Sequence, residues 1–225
     1  MIKTLKFESG DNLFWSSDIH DSHERDFILN PRAYSSAEEA RNNLIKLWNN
    51  QVDKNGIVFH LGDIVVGAGQ NGYEALTSLL DQLNFKEIYL MAGNHPSGWN
   101  QLYKKGTEDK EYNLFDDFGR KSLYYNGRLI YFIPNYYEIK VGSKLVVMSH
   151  YPMASWNKVG KGSFAIHGHC HNNYELGKYQ SKQGKILDVG IESALSYSKR
   201  EKTLFGYQDI LHIMNTKNSN QVDHH

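Results

Sequence analysis

The 225 residues suffice for one domain with a two- or three-layer core, and no run of about 18 apolar residues marks a membrane span. Lys plus Arg equals Asp plus Glu, 25 each, so no net field gathers nucleic acid along a whole face; such a partner has no support from charge and would have to be argued from a site. The one cysteine, Cys170, excludes an internal disulfide framework and, with no signal-peptide core at the N-terminus, predicts a cytoplasmic protein.

Along the chain, short apolar runs recur with polar clusters at their ends. Leu13-Phe14-Trp15 runs into Ser16-Ser17-Asp18-Ile19-His20. Ser36 to Glu39 has the spacing of a capping box, and Ala40, Leu44, Leu47 and Trp48 then share one helical face. Asn55-Gly56 turns into Ile57-Val58-Phe59-His60-Leu61, which ends at Gly62-Asp63. Tyr73, Leu76, Leu79, Leu80 and Leu83 form a second helical stripe, and Ile88 to Ala92 then ends at Gly93-Asn94-His95. Segment 98–120 is the least regular and reads as a surface excursion or, as the alternative, a lid over substrate. Beyond it, Leu129 to Ile133, Tyr137 to Val141 and Leu145 to Met148 read as successive strands, with a tight turn at Gly142-Ser143. Leu145 to Met148 ends at Ser149-His150, and Phe164-Ala165-Ile166 ends at His167-Gly168-His169-Cys170-His171. Further strands are expected over Asn173 to Leu176 and Lys185 to Val189, and a helix over Gln208 to Met214. The first half alternates β and α while the second is richer in adjacent strands, so two packed sheets with outer helices are predicted. Residues 1–217 are read as the domain. Residues 218–225 are read as a tail resembling the start of a purification tag, so His224 and His225 are left out of the site.

Polar groups at the carboxyl ends of neighbouring strands converge on one crevice, the usual ligand site of α/β sheets. Here they are two Asp, an Asn and several His, borderline ligands suited to manganese, iron, zinc or nickel, without a thiolate set. Two cations about 3.5–4 Å apart need a bridging ligand, which a carboxylate supplies and an imidazole does not.

Asp18-Ile19-His20, Gly62-Asp63, Gly93-Asn94-His95, His150 and Gly168-His169-Cys170-His171 resemble, in order, the five blocks of the calcineurin-like metallophosphoesterase superfamily. Ser17, Tyr151-Pro152 and Asp188-Val189-Gly190 add to the likeness, which runs from about Phe14 to Gly190 and is strongest to small single-domain members of bacteria and phages. The resemblance implies a four-layer αββα sandwich of two mixed β-sheets flanked by helices. It implies Asp18, His20 and His171 on one metal, Asn94, His150 and His169 on the other, and Asp63 between them. His95 is then no ligand but leans toward the phosphate, as the candidate catalytic acid. The implied cofactors are two divalent ions, manganese first, with iron, zinc, nickel and cobalt as alternatives. The implied reaction is hydrolysis of a phosphate ester, a phosphodiester or small nucleotide first, by a hydroxide shared between the metals. Alternatives are a phosphomonoesterase or protein phosphatase, or a catalytically silent scaffold that binds a partner protein.

Two departures from the family pattern concern His95. Pro96 follows it where an acidic residue is common, and Val66 stands three residues after Asp63 where a second Asp is common. Its orienting partner is therefore expected to be a backbone carbonyl or water. His60 and His167 read as hydrogen-bonded core groups, and Cys170 as pointing away from the metals. His23 is left between substrate contact and an exposed helix start. Asp188 is left between hydrogen-bonding a ligand histidine and ending a strand, and Trp99, Tyr151 and Trp156 between core packing and stacking on a base.

Overall fold

The computed structural model describes residues 4–67, 69–108, 114–115, 120–173 and 184–219. The expected strand over 173–176 falls outside these residues except for Asn173, which is not in a strand, and residues 220–225 of the expected tail also fall outside.

The first half lays down β1 (Leu5–Phe7), β2 (Leu13–Ser16), α1 (Asp26–Leu29), α2 (Ala37–Gln51), β3 (Ile57–His60), α3 (Gly69–Leu80), β4 (Glu87–Leu90) and α4 (Ser97–Glu108). The second contributes β5 (Leu114–Phe115), β6 (Lys121–Tyr125), β7 (Arg128–Phe132), β8 (Tyr136–Val141), β9 (Lys144–Ser149), β10 (Phe164–His167), β11 (Ile186–Asp188), α5 (Ile191–Tyr197), β12 (Phe205–Gly206) and α6 (Tyr207–Asn215). Two mixed sheets result, one in the order β1-β8-β9-β10-β11 and one in the order β12-β2-β3-β4-β7-β6-β5. In the larger sheet β2, β3, β4 and β7 are parallel, so the chain leaves β2, β3 and β4 at the same edge. In the smaller one β9, β10 and β11 are parallel.

Strands buried on both faces explain the continuous apolar runs. One face of the larger sheet, with Trp15, Phe59 and Tyr89, packs against Ile139, Val146, Met148 and Ile166 of the smaller sheet. Its other face, with Val58, Ile88 and Leu90, is covered by Leu44 and Trp48 of α2 and Leu76, Leu79 and Leu80 of α3. Among the described residues, Trp156 and Val159 cover the outer face of the smaller sheet.

The α2 cap differs in detail from the expected box. Ser36 Oγ accepts the Glu39 N–H at 3.1 Å, but the Glu39 carboxylate returns to the Ser35 N–H and hydroxyl, 2.7 Å each, rather than to Ser36. Segment 98–120 is corrected over residues 98–108, which are helical rather than irregular, while its residues 109–113 and 116–119 fall outside the described residues. Trp99 and Tyr103 of α4 stack at 4.9 Å and meet Phe132 edge-on, and Trp99 Nε1 donates to the Leu90 carbonyl at 3.1 Å. Trp99 is therefore a packing residue, as is Trp156, 6% exposed with its Nε1–H on the Ser163 carbonyl.

Candidate metal centre

Where the parallel strands end, their loops hydrogen-bond to one another rather than to solvent. The N–H groups of Asp18, His20 and Asp21 donate to the carbonyls of Gly62, Asp63 and Ile64, and the Gly168 N–H donates to the His150 carbonyl. The His169 N–H donates to Asp18 Oδ2 at 2.8 Å and joins the two pairs, so the polar blocks after β2, β3, β9 and β10 become one surface. Asp18, Asp63 and His150 are almost fully buried, whereas Asn94, His95 and His169 face the opening.

All seven sequence-predicted ligand positions meet there. Side-chain donor atoms of Asp18, His20 and His171 lie within 4.8 Å of one another, as do those of Asp18, Asp63 and His150. Asp63 Oδ2 stands 3.7 Å from His20 Nε2 and 3.6 Å from His150 Nε2, facing both halves. Asn94 Oδ1 completes the second half, 2.7 Å from His150 Nε2 and 2.8 Å from His169 Nδ1.

The protonation pattern suits a cation. His150 Nδ1 lies 2.8 Å from the Leu61 carbonyl and donates to it, so in the neutral ring Nε2 carries a lone pair. Burial lowers the His150 pKa despite the Asp63 charge, which favours the neutral ring. Its lone pair therefore meets the acceptor oxygens of Asn94 and Asp63 with no proton between them, an arrangement that an electropositive ion resolves. In the other half, burial pushes His20 down to about 2 and Asp18 up to about 7. Asp18 Oδ1 is buried with no hydrogen-bond partner among the described residues. A divalent ion would reverse the cost of ionising Asp18, so the donor set fits such a group.

The backbone is strained at the same places. Asp18, His20, Asp63, His169 and His171 adopt φ of 56°, 49°, 57°, 69° and 48°, the left-handed region that non-glycine residues rarely enter. At the tip of the next loop Gly93, φ 74°, lets the chain pass so close to Asp63 that a Cβ would lie 2.1 Å from Oδ1.

His95 projects over this surface. Its N–H donates to Asp63 Oδ1 at 2.7 Å, and its ring meets the His20 ring at 5.5 Å. Among the described residues no carboxylate is hydrogen-bonded to that ring, in keeping with Pro96 and Val66 in place of acidic residues. His23 extends the same row, its ring 6.1 Å from that of His20 and 5.0 Å from that of Phe27, which is 70% exposed. Across the opening, the exposed Tyr151 packs against His169 at 4.5 Å.

Three expectations are refined. Cys170 is partly buried, with its thiol pushed up to about 12 by burial and then by Asp188 and Asp18, so it stays protonated. Asp188 accepts from the Asn172 and Gly190 backbone at 3.0 and 2.7 Å, pinning the loop that carries His171 rather than holding a ligand ring. His60 is a core group as expected, but neither ring nitrogen has a hydrogen-bond partner among the described residues, and burial pushes its pKa down to about 3.

Arg32 and Glu192 carried no sequence signal. Glu192 Oε1 accepts from His171 Nδ1 at 3.1 Å and from Arg32 Nε at 2.7 Å. Burial opposes ionisation of Glu192, but His171 and Arg32 outweigh it and hold the carboxyl down at about 2. The two residues are 160 positions apart, and nothing local in either segment announces the pairing.

A sandwich of two mixed sheets, with two groups of candidate cation ligands on its strand ends, is the class of protein that fold and site define. The chain belongs to the calcineurin-like phosphoesterase family, whose model matches residues 14–189. It is 29% identical over 184 residues to an uncharacterized protein of Methanocaldococcus jannaschii, covering 80% of this chain and 81% of the relative. It is 26% identical over 177 residues to the gene 66 protein of Mycobacterium phage D29, covering 72% and 79%. A solved protein of unknown function from Aquifex aeolicus shares the fold, with a TM-score of 0.58 at 16% identity over 89% of this chain and 98% of that one. No helix among the described residues is long and apolar enough to cross a membrane.

Proposed function

We propose that this chain hydrolyses phosphate esters, phosphodiesters or small nucleotides first, with two divalent ions, manganese foremost. Asp18, His20 and His171 would hold one ion, Asn94, His150 and His169 the other, with Asp63 shared. The observation that carries this reading is Asp63 Oδ2, 3.7 Å from His20 and 3.6 Å from His150, one buried carboxylate oxygen turned toward both ligand groups. When bound, such a pair supplies Lewis acidity at phosphoryl oxygens and lowers the pKa of coordinated water.

The chain's own residues do the rest. Asp63 is itself aligned by the His95 N–H, so the shared carboxylate and the imidazole over the opening are tied together across the loops after β3 and β4. His95 stands over the opening, where its imidazole can protonate the leaving oxygen or donate to a phosphoryl oxygen. Phe27 and Tyr151 flank the opening with exposed ring faces, which supports a substrate carrying a planar group such as a nucleobase.

The test is turnover of bis- and mono-(p-nitrophenyl) phosphate and of nucleotide and dinucleotide substrates, after chelation and after adding Mn²⁺, Ni²⁺ or Co²⁺. Metal-restored activity favouring the diester supports the reading; preference for the monoester moves it to a phosphomonoesterase. Chelator-resistant hydrolysis by protein without metal overturns it.

A further inference from the structure

We propose that Glu192, locked in place by Arg32, is a positioning residue that selectively builds the half-site of Asp18, His20 and His171. This rests on the two-ion reading above. Arg32 is 4% exposed and distributes its guanidinium over two separate elements. Nη1 donates to the Ile19 carbonyl at 2.6 Å and Nη2 to the Asp18 carbonyl at 2.7 Å, while Nε donates to Glu192 Oε1 at 2.7 Å. The same carboxylate oxygen accepts from His171 Nδ1 at 3.1 Å. One buried cation thus fixes the Asp18-Ile19-His20 loop and, through one carboxylate, the ring of His171.

The geometry makes the two halves chemically unequal. With Nδ1–H committed to Glu192, the other nitrogen of His171 is directed to Asp18, Nε2 standing 4.0 Å from Oδ1. A carboxylate on the far nitrogen fixes the ring and makes it a stronger donor. The matching residue in the other half, His150, is oriented by a neutral carbonyl, that of Leu61. The clamp also grips two strained loops, since Asp18, His20 and His171 all sit at positive φ and the Asp18 and Ile19 carbonyls take their donors from Arg32. Among the interactions described, neither Arg32 nor Glu192 touches Asn94, His150 or His169.

The experiment is Mn²⁺ titration of chelator-stripped wild type, Glu192→Ala and Glu192→Gln, reading stoichiometry and the affinity of each site by calorimetry, with thermal unfolding alongside. Replacing such an outer carboxylate typically weakens metal affinity by roughly 10–100-fold. Expected is a loss of that size at one of two sites in Glu192→Ala, with the other unchanged. Glu192→Gln keeps an oxygen for the His171 N–H and should fall between; it decides the matter if Glu192→Ala does not fold. Two wild-type affinities in the variants overturn the proposal and leave the two-ion reading standing. Equal weakening at both sites also overturns it, by showing general loosening of the fold. Wild type that takes up no ion overturns both.

Discussion

Gly93→Ala should dismantle the centre from the backbone outward. The position has φ of 74°, where an L-residue costs about 1–2 kcal/mol relative to glycine. The new Cβ would lie 2.1 Å from Asp63 Oδ1 and 2.7 Å from the Asp63 nitrogen, against an unstrained separation of roughly 3.5 Å. The carboxylate must therefore retreat by more than about 1 Å, beyond the roughly 0.5 Å that a metal constellation tolerates. It also gives up the His95 N–H, 2.7 Å away, and a hydrogen bond to a charged group is worth about 1.5–3 kcal/mol. Together these give a loss of about 2.5–5 kcal/mol, or a Tm lower by about 5–20 °C for a chain of this length. Gly127→Ala is the control: φ is 80°, but the nearest atom is the Tyr124 hydroxyl at 4.0 Å, so only the backbone cost applies. Calorimetric unfolding and metal analysis of both variants decide it. Gly93→Ala binding two ions normally, with a Tm no lower than that of Gly127→Ala, would refute the close-approach reasoning.

Asp63→Asn should remove both ions in elemental analysis and lower kcat more than His20→Ala, because one oxygen faces both halves. Equal, selective loss of one ion in both variants would contradict the shared role. His95→Ala should reduce kcat/KM by about 10²–10⁴-fold on alkyl esters or nucleotides and much less on nitrophenyl esters if the imidazole protonates the leaving oxygen. A constant loss across esters of graded leaving-group pKa assigns it to phosphoryl charge instead. Lys217, whose ammonium donates to the Ile186 carbonyl, is pushed down from 10.5 to about 8 by burial and by Lys185. The folded state then binds fewer protons than the unfolded state between pH 8 and 10.5, so this residue's contribution makes stability rise with pH there. Lys217→Met should lack that rise, and parallel Tm–pH curves for the two proteins would rule it out.

The sandwich and the site were legible because the two signals reinforce each other. Runs such as Ile57 to Leu61 are short, apolar and buried on both faces, and each ends on residues that no core requires. Helix α4 was illegible for a reason that also explains its packing. Gly98 weakens local helix propensity, yet a Cβ there would lie 2.5 Å from Val65 Cγ2 and 2.7 Å from the Gly72 carbonyl oxygen. The small residue lets α4 approach α3 closely, so a tertiary contact outweighs the intrinsic preference. Strands β6 and β12 escaped notice because each is completed by its pairing partner, β7 and β2 respectively, rather than by its own pattern. The Arg32–Glu192 pair has no period to betray it. It exists only because the β2 loop and the segment after β11 end on the same face.

Backbone conformation at the centre is the feature furthest from the sequence. Five of the seven candidate ligands take positive φ, and none of the five is glycine, the residue that would adopt it without strain. Glycine could relieve each position but offers no donor atom, so the requirement for a carboxylate or imidazole overrides the local preference. Such residues persist only where their surroundings over-determine them. Here the surroundings can be named: the Gly62, Asp63 and Ile64 carbonyls paired with the 18–21 loop, Arg32 on the Asp18 and Ile19 carbonyls, and Asp188 on the Asn172 N–H. Local propensity and final structure disagree most where several loops must present donor atoms to one point. The buried strands beneath, with Val58, Phe59 and Ile166 fully inaccessible, provide the rigidity against which that disagreement is held.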